Sequence, residues 1–569
     1  MNKKIIINTL EKIALYLELQ GENPFKVSAF RKAAAALEGD QRSLSEIDDF
    51  TKIKGIGKGT ASVIHELMET GESLVLKELE ENTPKGLIPL MKLPGLGGKK
   101  LAKLYQELGI DSVESLRTAC ENKEVQKLAG FGAKTEEKIL KELEHFGERS
   151  EKHPIWQLES IVNDINDLLG SIVEVKQFSV AGSFRRVNEM SKDLDFVIST
   201  DEREVVKEKI LKQLAVKEIV ADGDTKVSVI LDIDDAINVD FRLVTQQEFA
   251  STLNHFTGSK DHNVRMRQLA KQQDKKISEY GVEQPDGTIK TFQSEEAFYA
   301  HFDLPYIPPT LRESGQELER LDEISQIVTL DDIVSDLHMH TTWSDGAHSI
   351  CEMGEALIAR GYTHGVITDH SQYLKVANGL TPERLLRQRQ EIYAFNDDHP
   401  EFRLFAGTEM DILPNGSLDF DDDVLKSLDF VIASIHSSFS QSQDKIMERL
   451  YTAVKNPYVH MIAHPTGRII GEREGYNPDI PQLIKWAAEY GKILELNASP
   501  YRLDLCVEHL IMAMEHNVPI AINTDAHAID QLRYMKIGTM YAQKAWLKKE
   551  LVVNTWSRKN FETFLTKNK

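Results

Sequence analysis

Two groups of residues in this 569-residue chain have the types and spacing for chemistry at phosphorus. The first is Asp193-Leu194-Asp195, with Asp240 following in the apolar alternation Ala236-Ile237-Asn238-Val239-Asp240-Phe241. On a strand, residues i and i+2 share a face, so Asp193 and Asp195 can hold divalent ions together while Asp240 joins from a neighbouring strand. Just before them lies Val180-Ala181-Gly182-Ser183-Phe184-Arg185-Arg186, a small-residue turn followed by two guanidinium groups. Three carboxylates beside such a turn supply what nucleotidyl transfer needs. Mg²⁺ or Mn²⁺ ions activate a 3′-hydroxyl and steady the leaving pyrophosphate, while Ser183 and Arg186 clamp a triphosphate. A lone Asp-x-Asp is commonly a solvated strand edge, so the adjoining Gly-Ser turn decides the reading.

The second group is rich in histidine: twelve of the eighteen lie beyond residue 337. His338 and His340 follow the run Ile333 to Leu337, with Asp345 close behind. His370 closes Gly365 to Asp369, Glu409 follows Leu404 to Thr408, and His436 follows Phe430 to Ile435. His464 follows Val459 to Ala463, and Asp525 with His527 follows Ile520 to Thr524. Each candidate sits at or just past the C-terminal end of an expected strand, where a parallel barrel gathers its active site. Nine mixed imidazoles and carboxylates are too many for one ion, so two or three of Mn²⁺, Zn²⁺ or Fe²⁺ are expected. Such a centre makes hydroxide from bound water and steadies an in-line attack on phosphorus. His348, His364, His399, His460, His509 and His516 lack the strand-end placement. Arg468, after His464-Pro465-Thr466-Gly467, reads equally as a phosphate contact or as one half of an ion pair.

The elements that position these groups follow from the rest of the chain. At roughly 150 residues per domain the length calls for about four units. A hydrophobic content of 41% with 28% charged residues is that of a folded, soluble protein. The opening MNKKIIINTLEKIALYLELQ reads as an amphipathic helix rather than a signal peptide, and no run approaches the ~20 apolar residues of a membrane span. Cys120, Cys351 and Cys506 are too few and too scattered for a disulfide framework, which places the protein in reducing cytoplasm. A monomer is expected. The net charge of −22 repels phosphate at long range, so nucleic-acid contact must be local.

Local features of that kind stand near the N-terminus. Ile53-Lys54-Gly55-Ile56-Gly57, Leu93-Pro94-Gly95-Leu96-Gly97 and Leu128-Ala129-Gly130-Phe131-Gly132 each precede a helical pattern. A Gly-x-Gly turn at a helix mouth exposes backbone N–H groups to an anion, with the helix dipole adding to the attraction. Lys58, Lys99, Lys100 and Lys134 follow these turns, and three repeats favour binding of DNA backbone without sequence preference. Lys26 and Arg31 lie on a basic helix that suits a 5′-phosphate or a solvated face.

The first 315 residues or so resemble the family X DNA polymerases. The resemblance rests on GSFRR with DLD and Asp240, on Phe256-Thr257-Gly258-Ser259, on the first two hairpins and on NPFKVSAFRKAA. It implies Asp193, Asp195 and Asp240 as metal ligands, and Gly182, Ser183, Arg186, His255, Phe256, Gly258 and Asn263 around a dNTP. Gapped or 3′-ended DNA is the implied partner. Val63 stands where the family's repair lyases carry a Schiff-base lysine, and His255-Phe256 departs from the family's aromatic pair that screens the sugar. Residues from about 334 to 569 resemble the polymerase and histidinol phosphatase (PHP) domain, which opens on His-x-His and closes on Asp-x-His, here His338-x-His340 and Asp525-x-His527. That resemblance implies a trinuclear site, 3′-5′ exonuclease activity and cleavage at abasic sites. Fusion of the two parts is the arrangement of bacterial and archaeal PolX enzymes.

The expected fold is therefore multidomain. Helix-hairpin-helix units would occupy residues 1–80 and 81–150, the second of them fingers-like. An α/β nucleotidyltransferase palm would span 151–247 and a small thumb 248–315. A linker helix over 316–333 would lead to a distorted (β/α)7 PHP barrel over 334–569. Two other readings remain: a phosphoesterase whose polymerase-like part only binds DNA, and a non-catalytic scaffold for DNA ends.

Overall fold

The structure, a computed structural model, describes residues 3–39, 44, 47, 49–84, 86–90, 93, 96–144, 152–233 and 236–567. They form two compact units, residues 1–149 and 150–569.

The first unit is helical. Its opening helix Lys3–Leu19 buries Ile6, Leu10, Ile13, Ala14 and Leu17, a spacing that keeps one face apolar at 3.6 residues per turn. These side chains meet Val27, Phe30, Ala33, Ala34 and Leu37 of Pro24–Gly39. Helices Lys58–Thr70 and Gly98–Leu108 begin directly after Gly57 and Gly97, and Ala133–Glu144 begins after Gly132. Among the described residues nothing lies within 4 Å of where a side chain at Gly57, Gly97 or Gly132 would stand, so these three helix mouths are open to that extent.

The second unit holds two sheets that matter for function. The smaller has five strands in the order Gln177–Val180, Asp193–Ser199, Asn238–Val244, Lys226–Leu231, Val216–Asp222. Asp193–Ser199 and Asn238–Val244 run parallel; the other neighbours run antiparallel. The helices Ile155–Ser171 and Arg203–Gln213 cover one face, packing Leu158, Ile165, Val206 and Ile210 on Leu194, Phe196 and Phe241.

The larger sheet has seven parallel strands in chain order: Ser335–Asp336, His364–Ile367, Arg403–Asp411, Phe430–Ser434, Met461–Ile462, Ile493–Asn497 and Ile520–Asn523. A bridge between Met339 and Ala526 brings its two ends together, so the sheet is a nearly closed barrel. Leu337, Val366, Phe405, Ile432, Met461, Ile493 and Ala521, one from each strand or its end, meet Phe561 of the last helix in a single apolar cluster. Side chains from every strand converge only inside a barrel, so this cluster fills the lumen.

One expectation is corrected. Residues 316–333 are not a linker helix but the 3₁₀ segments Gln316–Glu319, Leu321–Gln326 and Leu330–Asp332. Leu318, Leu321, Ile324 and Ile327 recur every third residue, the 3₁₀ period, and pack on the core around Phe298 and Tyr299. The preceding segment also carries a small sheet of Lys276–Ile277, Val282–Glu283 and Ile289–Lys290, whose two-residue strands are too short to show alternation. Among the described residues no helix is long and apolar enough to cross a membrane.

Candidate active sites

Strand register sets the first site. Asp195 lies opposite Asp240 and Asp193 opposite Asn238. Asp193, Asp195 and Asp240 therefore share one face at the start of two neighbouring strands. Burial, then the charges of Asp193 and Asp240, push the Asp195 carboxyl up to about 7; burial and Asp240 also raise Asp193. Lys226 Nζ is 2.6 Å from Asp240 Oδ2 and offsets part of the negative charge. Crowded oxygen donors with surplus negative charge fit hard divalent cations.

The Gly182–Arg185 turn opens beside these carboxylates. Gly182 has φ +61°, and a side chain there would run into the Asp195 carboxylate, so glycine alone permits this approach. Ser183 Oγ donates to Ser191 Oγ at 2.8 Å. Arg186 donates to the Thr257 carbonyl at 2.5 Å, and its Nε lies 3.4 Å from Glu313. This places Arg186 beside Gly258. His255 and Phe256 meet edge to face at 4.9 Å, the Arg242 guanidinium sits 4.2 Å over Phe256, and Asn263 donates to the His255 carbonyl at 2.7 Å. Burial lowers His255.

At the barrel all nine candidates form one connected cluster. Glu409 Oε1 is 3.1 Å from His436 Nε2 and 2.8 Å from His464 Nε2. Glu409 Oε2 is 3.0 Å from His370 Nδ1 and 3.4 Å from His338 Nε2. Asp525 Oδ1 lies 3.1 Å from His340 Nε2, and Asp345 lies 3.6 Å from His370 and 3.5 Å from His527. Three overlapping sets have donor atoms within 4.8 Å of one another: His340, Asp345, His370 and His527; His338, His340, Glu409 and Asp525; His370, Glu409 and His436. Shared His340, His370 and Glu409 join the three sets. The Nε2 atoms of His338 and His340 stand 3.2 Å apart, and Nδ1 of both His340 and His464 is buried without a hydrogen-bond partner among the described residues. Converging imidazole lone pairs and orphaned ring nitrogens fit several cations.

The electrostatics fit the same reading. Burial would lower His338, yet Asp525, Glu495 and Glu409 raise it well above the usual range. Burial, with His527 and His370, takes His340 down to about 3. Imidazole binds metal only when neutral, so cations compete with the protons that this acidic pocket otherwise attracts.

Four family models match the chain: helix-hairpin-helix domain over residues 1–73, SAM-like helix-hairpin-helix tandem over 87–144, DNA polymerase beta thumb over 252–313 and PHP domain over 336–499. The chain is 56% identical over 569 residues, all of both proteins, to the DNA polymerase/3'-5' exonuclease PolX of Bacillus subtilis (strain 168). The chain belongs to the PolX family. Its barrel portion alone is similar to smaller proteins. A probable phosphatase of Thermoanaerobacter sp. (strain X514) is 30% identical over 39% of this chain and 91% of that protein. One of Caldanaerobacter subterraneus subsp. tengcongensis is 31% identical over 39% of this chain and 87% of that protein. Divalent metal is implied at both sites of a PolX family member, and DNA and dNTPs are its implied substrates.

The PolX barrel also holds orienting residues that sequence reading missed. Glu495 bonds His338 Nδ1 at 2.7 Å and accepts from the His464 backbone N–H at 2.7 Å, and Asn523 donates to it at 3.0 Å. Asp411 is 3.2 Å from His436 Nδ1, and Asn497 donates to Asp525 at 3.0 Å. The signals were present: Glu495 is a charge inside the apolar strand Ile493–Asn497, and Asp411 shares the face of Glu409 two residues on.

Other expected contacts lie elsewhere. Arg468 takes the ion-pair alternative, reaching Glu189 at 2.9 Å and the carbonyl of Arg502 at 2.9 Å. In the first unit Lys26 pairs with Glu22 at 3.5 Å and Arg31 with Glu18 at 2.6 Å. Lys58, Lys99 and Lys100 are exposed at the hairpin helices, and Gly55 has φ +113°. Gly95 lies outside the described residues. Val63 is buried in the core of this unit, so that position offers no amine.

Proposed function

We propose that this PolX family member is a DNA-repair polymerase that adds dNTPs to 3′ ends in short gaps, and that its barrel removes nucleotides from 3′ ends as a 3′-5′ exonuclease. The observation that carries the reading is a double one: Asp195 faces Asp240 beside the Gly182 turn, and eight ligand-type side chains, with His464 joined through Glu409, converge at the barrel mouth.

In this reading Asp193, Asp195 and Asp240 hold Mg²⁺ or Mn²⁺, with residues 151–247 as palm and 248–315 as thumb. Gly182 leaves room for the triphosphate, and Ser183 and Arg186 hold it through donated hydrogen bonds. His255, Phe256, Gly258 and Asn263 border the sugar and base. At the barrel His338, His340, Asp345, His370, Glu409, His436, His464, Asp525 and His527 hold two or three Mn²⁺, Zn²⁺ or Fe²⁺ ions. Bound ions lower the pKa of water and polarise phosphoryl oxygen at the barrel, and activate the 3′-hydroxyl at the palm. Glu495 and Asp411 fix the ring orientation of His338 and His436, as carboxylates behind ligating histidines do. The open helix mouths at Gly57 and Gly97, with Lys58, Lys99 and Lys100, hold DNA phosphates. The protein works in the cytoplasm as a monomer.

The phosphoesterase reading draws on the similarity of the barrel to probable phosphatases, but it leaves the complete carboxylate triad without a task. The test is gap filling and 3′ degradation on a labelled one-nucleotide-gapped duplex with Mg²⁺ or Mn²⁺. Asp193→Ala should lose synthesis alone and His340→Ala degradation alone. Loss of both activities in either folded variant would refute two independent sites.

A further inference from the structure

The triphosphate-binding turn does not end within its own sheet. Val187, directly after Arg186, has φ +56° and is buried in the same apolar core as Val431, Leu494 and Ile522 of the barrel strands. Lys544, at the end of the barrel helix Tyr534–Lys544, is 9% exposed and donates to the Arg186 carbonyl at 2.9 Å and to Asn188 Oδ1 at 2.8 Å. Its ammonium also bonds the Glu313 carboxylate, the group that pairs with Arg186 Nε. At the next residue Glu189 is gripped by Arg468 at 2.9 Å and by the Tyr541 hydroxyl. Three barrel side chains thus hold the far end of a turn whose near end lies against Asp195.

We propose that Lys544, supported by the Arg468–Glu189 pair, is a positioning residue for the polymerase reaction: the nuclease part of the chain sets the nucleotide grip of the synthetic part. Two effects of one ammonium combine. By binding the Arg186 carbonyl and Asn188 it fixes the backbone that aims Arg186. By neutralising Glu313 it weakens the competing ion pair that would hold the Arg186 guanidinium away from an incoming triphosphate. Arg186 carries the clamp, and Lys544 touches neither nucleotide nor metal. The inference rests on the reading of Gly182 to Arg186 as the dNTP turn.

The test is steady-state gap filling by the full-length, metal-loaded chain, with 3′ degradation measured on the same preparation. Lys544→Met should raise KM for dNTP about tenfold, the size of one lost charge-assisted contact, and change kcat less than about twofold. Degradation should be unchanged, and Lys544→Arg, which keeps the cation, should restore most of the affinity. Arg186→Ala runs beside them. If it raises KM while Lys544→Met does not, the inference fails and the turn keeps its role. If Arg186→Ala leaves KM unchanged, the turn itself is misread and the inference falls with it. Equal losses of synthesis and degradation in Lys544→Met, or no rescue by Lys544→Arg, would also overturn it, because a generally damaged fold predicts both.

Discussion

Asp195 faces Asp240 across a parallel strand pair, with Asp193 two residues back on the same face. Without a cation this arrangement costs stability. The folded-state pKa of Asp195 is raised to about 7 by burial and by its two neighbours, so the penalty is absent at low pH, grows as pH rises past the unfolded value near 4, and is complete above about 7. Asp195→Asn should therefore raise the melting temperature at pH 8 in chelator by a few degrees, for a gain of about 2 kcal/mol after allowance for solvent screening. The gain should vanish near pH 4, while synthesis falls at least about 10³-fold. Thermal melts at the two pH values and a gap-filling assay read all three outcomes.

Much of this architecture was legible because six of the seven barrel strands follow one pattern: an apolar run, then an ionisable residue at or near its end. Where that pattern changes, reading stops. Glu409 was expected just past its strand, yet Arg403–Asp411 continues through it, since Met410 is itself buried and carries the pairing on to Asp411. Glu495 lies mid-strand with no histidine beside it in sequence, and only the barrel's closure brings it under His338. The 3₁₀ run after Gly315 deceived because apolar residues at every third position imitate part of a helical stripe. Lys544 could not be read at all: its partners Arg186 and Glu313 stand hundreds of residues away, and no local pattern marks such a contact.

Glu495 gives a test of orientation against ligation. It touches the ring nitrogen of His338 opposite the cluster and the backbone of His464. Glu495→Gln keeps the shape but loses the charge that fixes the tautomer, so metal affinity and degradation should fall about 10- to 100-fold. Synthesis should be unaffected. Metal content by mass spectrometry after dialysis against graded chelator separates lost loading from a lost fold.

His364 predicts an acid-sensitive step away from both sites. It is fully buried between Phe405 and Phe561, its Nε2 has no hydrogen-bond partner among the described residues, and burial with the nearby Arg558 charge takes it down to about 4. A histidine lowered in the fold stays neutral there while the unfolded chain takes up a proton. Its stability contribution is thus whole above about 6.5, drains as pH falls, and is gone by about 4, a loss of about 3 kcal/mol. His364→Leu should flatten that part of the stability curve. Urea titrations in chelator of both proteins, compared at pH 7.5 and 4.5, isolate the difference from the metal-site histidines, which are common to both.

Lys58 and Lys99 are exposed at the starts of the hairpin helices, whereas Lys26 and Arg31 already face Glu22 and Glu18. The two sets should therefore differ in how they answer to salt. Each phosphate neutralised by a lysine releases condensed counterion, which steepens the fall of log affinity with log salt by about 0.9 on duplex DNA. Replacing Lys58 and Lys99 together by alanine should flatten that slope by roughly 1 to 2. Replacing Lys26 and Arg31 should alter it by less than about 1, because those charges are spent on intramolecular partners. Fluorescence anisotropy with a gapped duplex across 50 to 200 mM salt measures both slopes. An unchanged slope in the double variant would remove Lys58 and Lys99 from the DNA interface.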